Sequence, residues 1–325
     1  MASYTAFIIR KVLAIFLTFI AAVTFVFVMV RLVGDPFGQL VLEDPRITPE
    51  QIEKIKAVYG LDKPLWEQYI DFIVNAFKGE LGYSLHYQRP VIDVIMERLP
   101  WTLLLLLPAI IISTILSIYL GMKTAWKHGT RYDVWVTSTA LFIRSTPHFW
   151  LALIFLMFFG YYLGLFPLAG SVTPAKEFSS IWDYIADILW HATLPITVLV
   201  VREIGMYMLY MRNAMVEVMG QDFVWMAKLK GLAENKVMYR HAARVAILPM
   251  VTVTALRFGF MINGAILTET VFSYPGTGRL IFEAIMNDDY FLVQGTFLIM
   301  TITVLLANLV ADLLYGLLDP RVRVT

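Results

Sequence analysis

The sequence predicts an all-α integral membrane protein with six transmembrane helices, and three observations carry that prediction. The chain has 325 residues, of which 59% are hydrophobic and 16% charged, with a mean hydropathy of +0.69. A soluble domain is nearer half apolar and a quarter charged. Six segments, approximately 12–32, 101–122, 134–163, 193–211, 246–268 and 296–318, are apolar over the roughly 20 residues a helix needs to cross a ~30 Å bilayer core. Helices satisfy every backbone hydrogen bond within the segment, so they are the expected spanning form. The third observation is how charge divides between the two sides.

With six spans, one side receives Arg10, Lys11, Lys123, Lys127, Arg131, Arg212, Lys228, Lys230, Lys236, Arg240, Arg244, Arg321 and Arg323, thirteen cations against five acids. The opposite side has ten cations and eighteen acids. The positive-inside rule makes the first side cytoplasmic, with both termini facing in. The 134–163 run is overlong and carries Arg144, Pro147 and His148. Splitting it there would give seven spans and move six of those cations outside. The charge distribution selects six spans, with the third helix kinked near Pro147, whose ring removes a backbone donor.

The elements follow in order. Residues 1–33 form the first span; the apolar run from Ile8 to Leu32 exceeds the ~7–15 residues of a signal-peptide core and reads as retained. Residues 34–98 form an external helical insert. There Thr48-Pro49-Glu50-Gln51 has the capping residue, first-turn proline and third-position glutamine of a helix start. That helix is expected to stop at Gly60. A second begins near Pro64, with Leu65, Tyr69, Phe72, Ile73, Ala76 and Phe77 on one face. Two amphipathic helices resting on the bundle or the membrane account for this pattern; a docking platform for an external partner is the other reading. Residues 99–320 make the membrane core, and 321–325 a cytoplasmic tail. Trp101, Trp150, Tyr161 and Tyr162 suit interface anchors.

The loop over 212–245 is the most informative segment. Topology explains its positive charge but not Met215, Val216, Val218, Phe223, Met226, Leu229, Leu232, Val237 and Met238 interleaved with it. Helical spacing ended by Gly231-Leu232 predicts a short amphipathic helix that presents a mixed face to a cytoplasmic partner. Inside the spans, Arg144, Arg202, Glu203, Arg257 and Asp312 are costly and must face a cavity or one another. Glu203 pairing with Arg257 or Arg202, and Asp312 held by Asn308, satisfy that cost. Arg202, Glu203 and Arg257 can equally line a pathway, since a pair can line a pore. Arg144 beside Pro147 reads as a snorkelling cation at a kink.

Several functions are excluded or disfavoured. The dipeptide Gly-Lys never occurs, so there is no phosphate-binding Gly-x-x-x-x-Gly-Lys-Ser/Thr loop. No His is followed by Glu, no Gly-x-Ser-x-Gly exists, and Cys is absent. An intramembrane hydrolase lacks its constellation. A self-powered secondary transporter would need midplane carboxylates and matching interrupted halves, for which only Glu203 offers itself.

Ala227-Lys228-Leu229-Lys230-Gly231-Leu232, His241-Ala242 and Ile247-Leu248-Pro249 resemble the loop of permease subunits of binding-protein-dependent ABC importers. The chain is similar, more narrowly, to the B-type subunit of dipeptide/oligopeptide permeases. The likeness continues through the run from Gly264 to Arg279, Asp289-Tyr290, Val293-Gln294-Gly295, Asp312-Leu313-Leu314-Tyr315 and Asp319-Pro320-Arg321. It also takes in Gly34-Asp35-Pro36, Tyr59-Gly60-Leu61-Asp62, Gly79-Glu80-Leu81-Gly82 and Arg98-Leu99-Pro100. Where the general importer motif begins Glu-Ala-Ala, this chain has Trp225, Met226 and Ala227.

The resemblance implies the ABC type-1 importer fold, a prokaryotic plasma (inner) membrane location and no catalysis by this chain. It implies no cofactor here, with ATP and Mg held by two separate cytoplasmic ATPase subunits. Its other partners would be a second homologous permease, an external substrate-binding protein and membrane lipids, with no nucleic acid. It gives Asp222, Phe223, Ala227, Lys228, Lys230, Gly231 and Leu232 the role of a coupling helix seated in an ATPase groove. Di- or oligopeptides are the expected cargo, with oligosaccharides or nickel complexes as alternatives.

Overall fold

The computed structural model describes residues 2–32, 49–58, 60–260 and 265–318. Gly34-Asp35-Pro36, the Thr48 cap, Tyr59, Gly264, Asp319-Pro320-Arg321 and Arg323 lie outside the described residues, as do the side chains of Asn308 and Asp312. Helix α1 (Ala2–Leu32) is followed by the insert helices α2 (Pro49–Val58) and α3 (Leu65–Lys78). Then come α4 (Val91–Trp126), α5 (Arg131–Ser145) and α6 (His148–Phe155), which continues as wide π-helical turns over Leu156–Tyr162. The long α7 (Ile181–Met219) leads into the short α8 (Asp222–Leu229). A helical stretch over 234–246 runs into α9 (Leu248–Phe260), and α10 (Ile266–Val271), α11 (Thr277–Met286) and α12 (Tyr290–Leu318) complete the chain.

Among the described residues, Leu13–Leu32, Val91–Trp126 and Ile181–Met219 are long and apolar enough to cross a membrane. The bent pair Arg131–Ser145 and His148–Tyr162 makes a fourth span if counted as one, and Leu248–Phe258 and Tyr290–Leu306 are shorter apolar helices. These are the six apolar regions the sequence marks out. At 1.5 Å per residue, the 36 residues of α4 reach about 54 Å, so α4 extends well past a ~30 Å core.

Lipid supplies little hydrophobic force between helices, so close approach at small residues does the packing. Helix α7 meets both neighbours this way. A Cβ built on Gly121 of α4 would lie 2.7 Å from the Met208 carbonyl, and one on Gly205 of α7 would lie 2.7 Å from the Ala140 carbonyl of α5. The backbones therefore touch where the glycines stand.

The insert packs on the bundle. Phe77 meets Phe19 edge-on at 5.7 Å, Tyr69 and Phe72 flank Phe27, and Tyr69 shares a 2.6 Å hydrogen bond with Thr24. Because α1 numbers rise as α3 numbers fall, α3 runs antiparallel along α1. The expected face holds at Tyr69, Phe72, Ile73 and Ala76, but Leu65 and Phe77 are mostly exposed. Helix α2 ends before Gly60, whose φ of +67° favours glycine.

The break at Pro147 is far larger than a kink. The arms diverge by 102°, because Thr146 and Pro147 are both extended (ψ 130° and 135°). The residue before proline is driven from the helical region, so two consecutive residues leave it. Trp150, Tyr161 and Tyr162 are exposed as interface anchors should be, whereas Trp101 packs edge-on against buried Tyr274 at 6.0 Å. Trp101 is thus half-buried against the core, where α4 meets the turn after α10.

Candidate functional site

The coupling segment is built on a rigid root. Arg212, near the end of α7, donates from Nε and Nη2 to the two oxygens of Asp133, each at 2.7 Å. The same carboxylate accepts from the Gly129 amide at 3.1 Å and the Thr137 hydroxyl at 3.1 Å. A bidentate guanidinium–carboxylate pair fixes angle as well as distance. So the end of α7 is held to the start of α5 just before the chain turns into α8.

Helix α8 divides its residues between two tasks. Val224 and Ala227 are buried with Met211, Met215, Val218, Val237 and Met238. Phe223, Trp225, Met226 and Leu229 are exposed, Leu229 at 79%. Lys228 Nζ lies 5.1 Å from the Trp126 ring and 5.2 Å from the Trp225 ring, a cation–π arrangement that orients the ammonium without neutralising it. Asp222, Lys230 and Gly231 are exposed, and Gly231 has the left-handed φ of +72° that ends the helix. Ala227 therefore belongs to the base of the arm, and Leu232 packs partly on the same base. Trp225 and Leu229 complete the outward face. Their signal in the sequence is their spacing four apart around Ala227, on the flank opposite Val224.

The membrane charges come together as well. Arg257 of α9 is buried; its Nη2 lies 3.3 Å from Glu203 Oε2 and donates to Ser113 at 2.7 Å, while Nη1 donates to Thr114 at 2.9 Å. The guanidinium also stacks 3.9 Å over the Tyr207 ring. Arg202 Nη1 is 3.6 Å from the other oxygen of Glu203 and is itself 46% exposed. Glu203 thus joins one buried and one open guanidinium. The cluster is cationic overall, with one acid for two bases, and its exposed edge is Arg202. Arg144 stays exposed, apart from this group.

At the opposite end from α8, three acids are buried. Glu269 accepts from the Thr102 hydroxyl at 3.0 Å, from the Arg279 amide at 3.0 Å and from the Ala265 amide at 3.3 Å. A Cβ on Gly276 would overlap its carboxylate. Asp289 accepts from the Ser84 hydroxyl and from the amides of His86 at 3.1 Å and Leu292 at 3.2 Å. Asp187 accepts from the Thr173 amide and hydroxyl, both at 2.7 Å. Tyr87 donates to Glu283 at 2.8 Å, and its ionisation is pushed up by burial and by that carboxylate.

Two family models match this chain: "Binding-protein-dependent transport system inner membrane component" over residues 113–324, and the N-terminal membrane component of the same systems over residues 4–106. The chain belongs to this family. Its membership places it as a multi-pass inner-membrane permease component with the type-1 helical architecture described above. Similar curated proteins include the dipeptide transport system permease protein DppB of Escherichia coli K12, 35% identical over 98% of both chains. The di/tripeptide transport system permease protein DppB of Pseudomonas aeruginosa is 34% identical over 98% of both. The oligopeptide transport system permease protein AppB of Bacillus subtilis is 33% identical over 98% of this chain and 99% of that one. The matched regions of this permease component contain both α8 and the Glu203 cluster.

Proposed function

We propose that this chain is a permease subunit of an ABC importer for di- or oligopeptides, moved by separate ATPase subunits that grip α8. The observation that carries the reading is the exposed mixed face of α8. Trp225, Met226 and Leu229 stand outward beside Lys228 and Lys230 on a helix whose other side is locked into the core. Such a face marks a surface that a partner covers. The names of the similar full-length proteins support peptide as the cargo.

With both termini and the coupling loop in the cytoplasm, nucleotide binding draws two ATPase subunits together, and each carries a coupling helix with it. This chain pairs with a second, similar permease, and an external binding protein delivers the peptide. ATP and Mg sit on the ATPases alone. The rigid Arg212–Asp133 root passes the displacement of α8 to α7 and α5, biasing inward- against outward-facing arrangements. Helix α7 also carries Arg202 and Glu203. These two and Arg257 line the path and meet the charged ends of a peptide.

The test is uptake of a labelled dipeptide by proteoliposomes holding the whole assembly. Uptake should require the binding protein and hydrolysable ATP, and should stop when the ATPase subunits carry an inactivated nucleotide site. Peptide uptake without nucleotide would overturn the reading.

A further inference from the structure

An open groove of about 400 Å³ lies between α4 and the helical stretch that runs into α9. Ile118 and Met122 of α4 line one side of it; Tyr239, Arg240, Arg244 and Ile247 line the other. That volume falls within the roughly 300–1,000 Å³ of small-molecule sites. Arg240 and Arg244 stand about one turn apart, and both are exposed. Among the described residues neither pairs with an acid, and no acid lines the groove. Water alone would satisfy two such guanidiniums; their position is what selects another occupant.

Helix α4 is long and apolar enough to cross a membrane, and Ile111, Ile115 and Tyr119 are exposed on it at spacings of four. That stripe leads along α4 to Ile118 and Met122 in the groove. Across from it, exposed Leu248 and Val251 follow directly on the two arginines. Two apolar surfaces therefore end at one cation-lined groove. Lys123 adjoins Met122 and donates to the Tyr119 hydroxyl, so a third cation and an aromatic ring stand at the same level. Apolar surface that ends in Arg, Lys and Tyr is the pattern of a membrane boundary. With the 212–245 loop in the cytoplasm, the placement proposed above and the one on which this inference rests, the boundary is that of the inner leaflet. Its anionic lipids attract arginines at the surface.

We propose that this groove binds the phosphodiester of an anionic phospholipid such as phosphatidylglycerol. Arg240, Arg244 and the Tyr239 hydroxyl are its donors, and Ile118, Met122 and Ile247 meet the first carbons of the acyl chains. A net anionic headgroup fits better than a zwitterionic one, because the groove has no acid to hold an ammonium. The apolar walls favour a lipid over an acidic protein segment, which would leave them uncovered. Ala242, Ala243 and Ala246, interleaved with the arginines, are buried with Val224 and Ala227 of α8. A lipid held here would brace the base of the coupling arm against α4.

The experiment uses the whole assembly, delipidated in detergent and titrated with dioctanoyl phosphatidylglycerol, with dioctanoyl phosphatidylethanolamine and glycerol phosphate as controls. Retained lipid is counted by native mass spectrometry. Phosphatidylglycerol should bind about tenfold more tightly than phosphatidylethanolamine, and glycerol phosphate at the same concentration should not displace it. Arg240→Gln combined with Arg244→Gln should weaken that binding about 30-fold, and either substitution alone about fivefold. The single variants decide the matter if the double one fails to assemble. Equal retention of the two lipids, wild-type retention in the variants, or displacement by glycerol phosphate would overturn the proposal. So would retention that appears only once the ATPase subunits are stripped, which would give the arginines to the ATPase. Retention is read without transport, so its failure leaves peptide import standing, and a failure of import shows only in the uptake assay.

Discussion

Apart from the buried Asp133–Arg212 root, the two ends of the molecule handle charge differently. At the insert end the acids Glu269, Asp289 and Asp187 are buried and satisfied chiefly by amides and hydroxyls, Glu269 and Asp289 partly from Thr102 and Ser84 far away in sequence, with Lys176 3.3 Å from Asp187. At the α8 end Lys228 and Lys230 are exposed beside Trp225 and Leu229, which face outward. The first end is closed on itself; the second presents the outward face that the proposed ATPase contact would cover. Substitutions at the first should therefore reach stability, and those at the second should spare stability and reach transport.

The largest effect is expected at Glu269. Replacing it by Ala leaves the amides of Ala265 and Arg279 without their acceptor, at about 1–3 kcal/mol each, while the Thr102 hydroxyl keeps only the Thr277 hydroxyl as an acceptor, at 3.0 Å. Glu269→Ala should therefore yield little folded protein by fluorescence-detected size exclusion. A normal yield and unfolding temperature would show that the closed end is not self-sufficient in the way described.

At the other end, Leu229→Glu puts a charge on a side chain that is 79% exposed. The chain should fold and insert as before, while ATP-driven uptake falls by at least tenfold. Partner ATPase binding, measured by co-purification, should fall with it. Loss of folding instead would place Leu229 in the core and erase the contrast between the ends.

Arg257→Ala tests the middle. Glu203 keeps Arg202 as a partner at 3.6 Å, so the carboxylate is not stranded. Uptake should drop several-fold through a higher apparent KM for peptide, with assembly intact. Unchanged uptake would leave the cluster as an ion pair that braces α7 against α9 and nothing more.

How much of this was legible in the sequence depends on whether the signal was local. The end of α2 at Gly60 and of α8 near Gly231 could be read because a left-handed residue is a property of one position. Pro147 marked a break but not a 102° turn, since a missing amide says where a helix fails and not where the chain goes next. Pairing of Glu203 with Arg257 was expected from the cost of lone charges in lipid, and the geometry agrees. Asp133 and Arg212 stand 79 positions apart, and each counted only as a surface charge of the cytoplasmic side. Glu269 looked like one more acid on the external side; only the fold of the turn after α10 buries it. Trp101 fitted an interface anchor by position, but Tyr274 claimed its ring. Ala227 was assigned to the docking face with its neighbours, yet helical geometry turns it inward, and Trp225 and Leu229 take the outward places.

The chain has no native cysteine, so Leu229→Cys supplies a single thiol on this subunit. Its reaction with a membrane-impermeant maleimide, read on this subunit's band, tests the central claim most directly. The account predicts labelling in inside-out vesicles stripped of the ATPase subunits, and protection once those subunits are restored. Labelling from the outer side, or undiminished labelling in the full assembly, would contradict it.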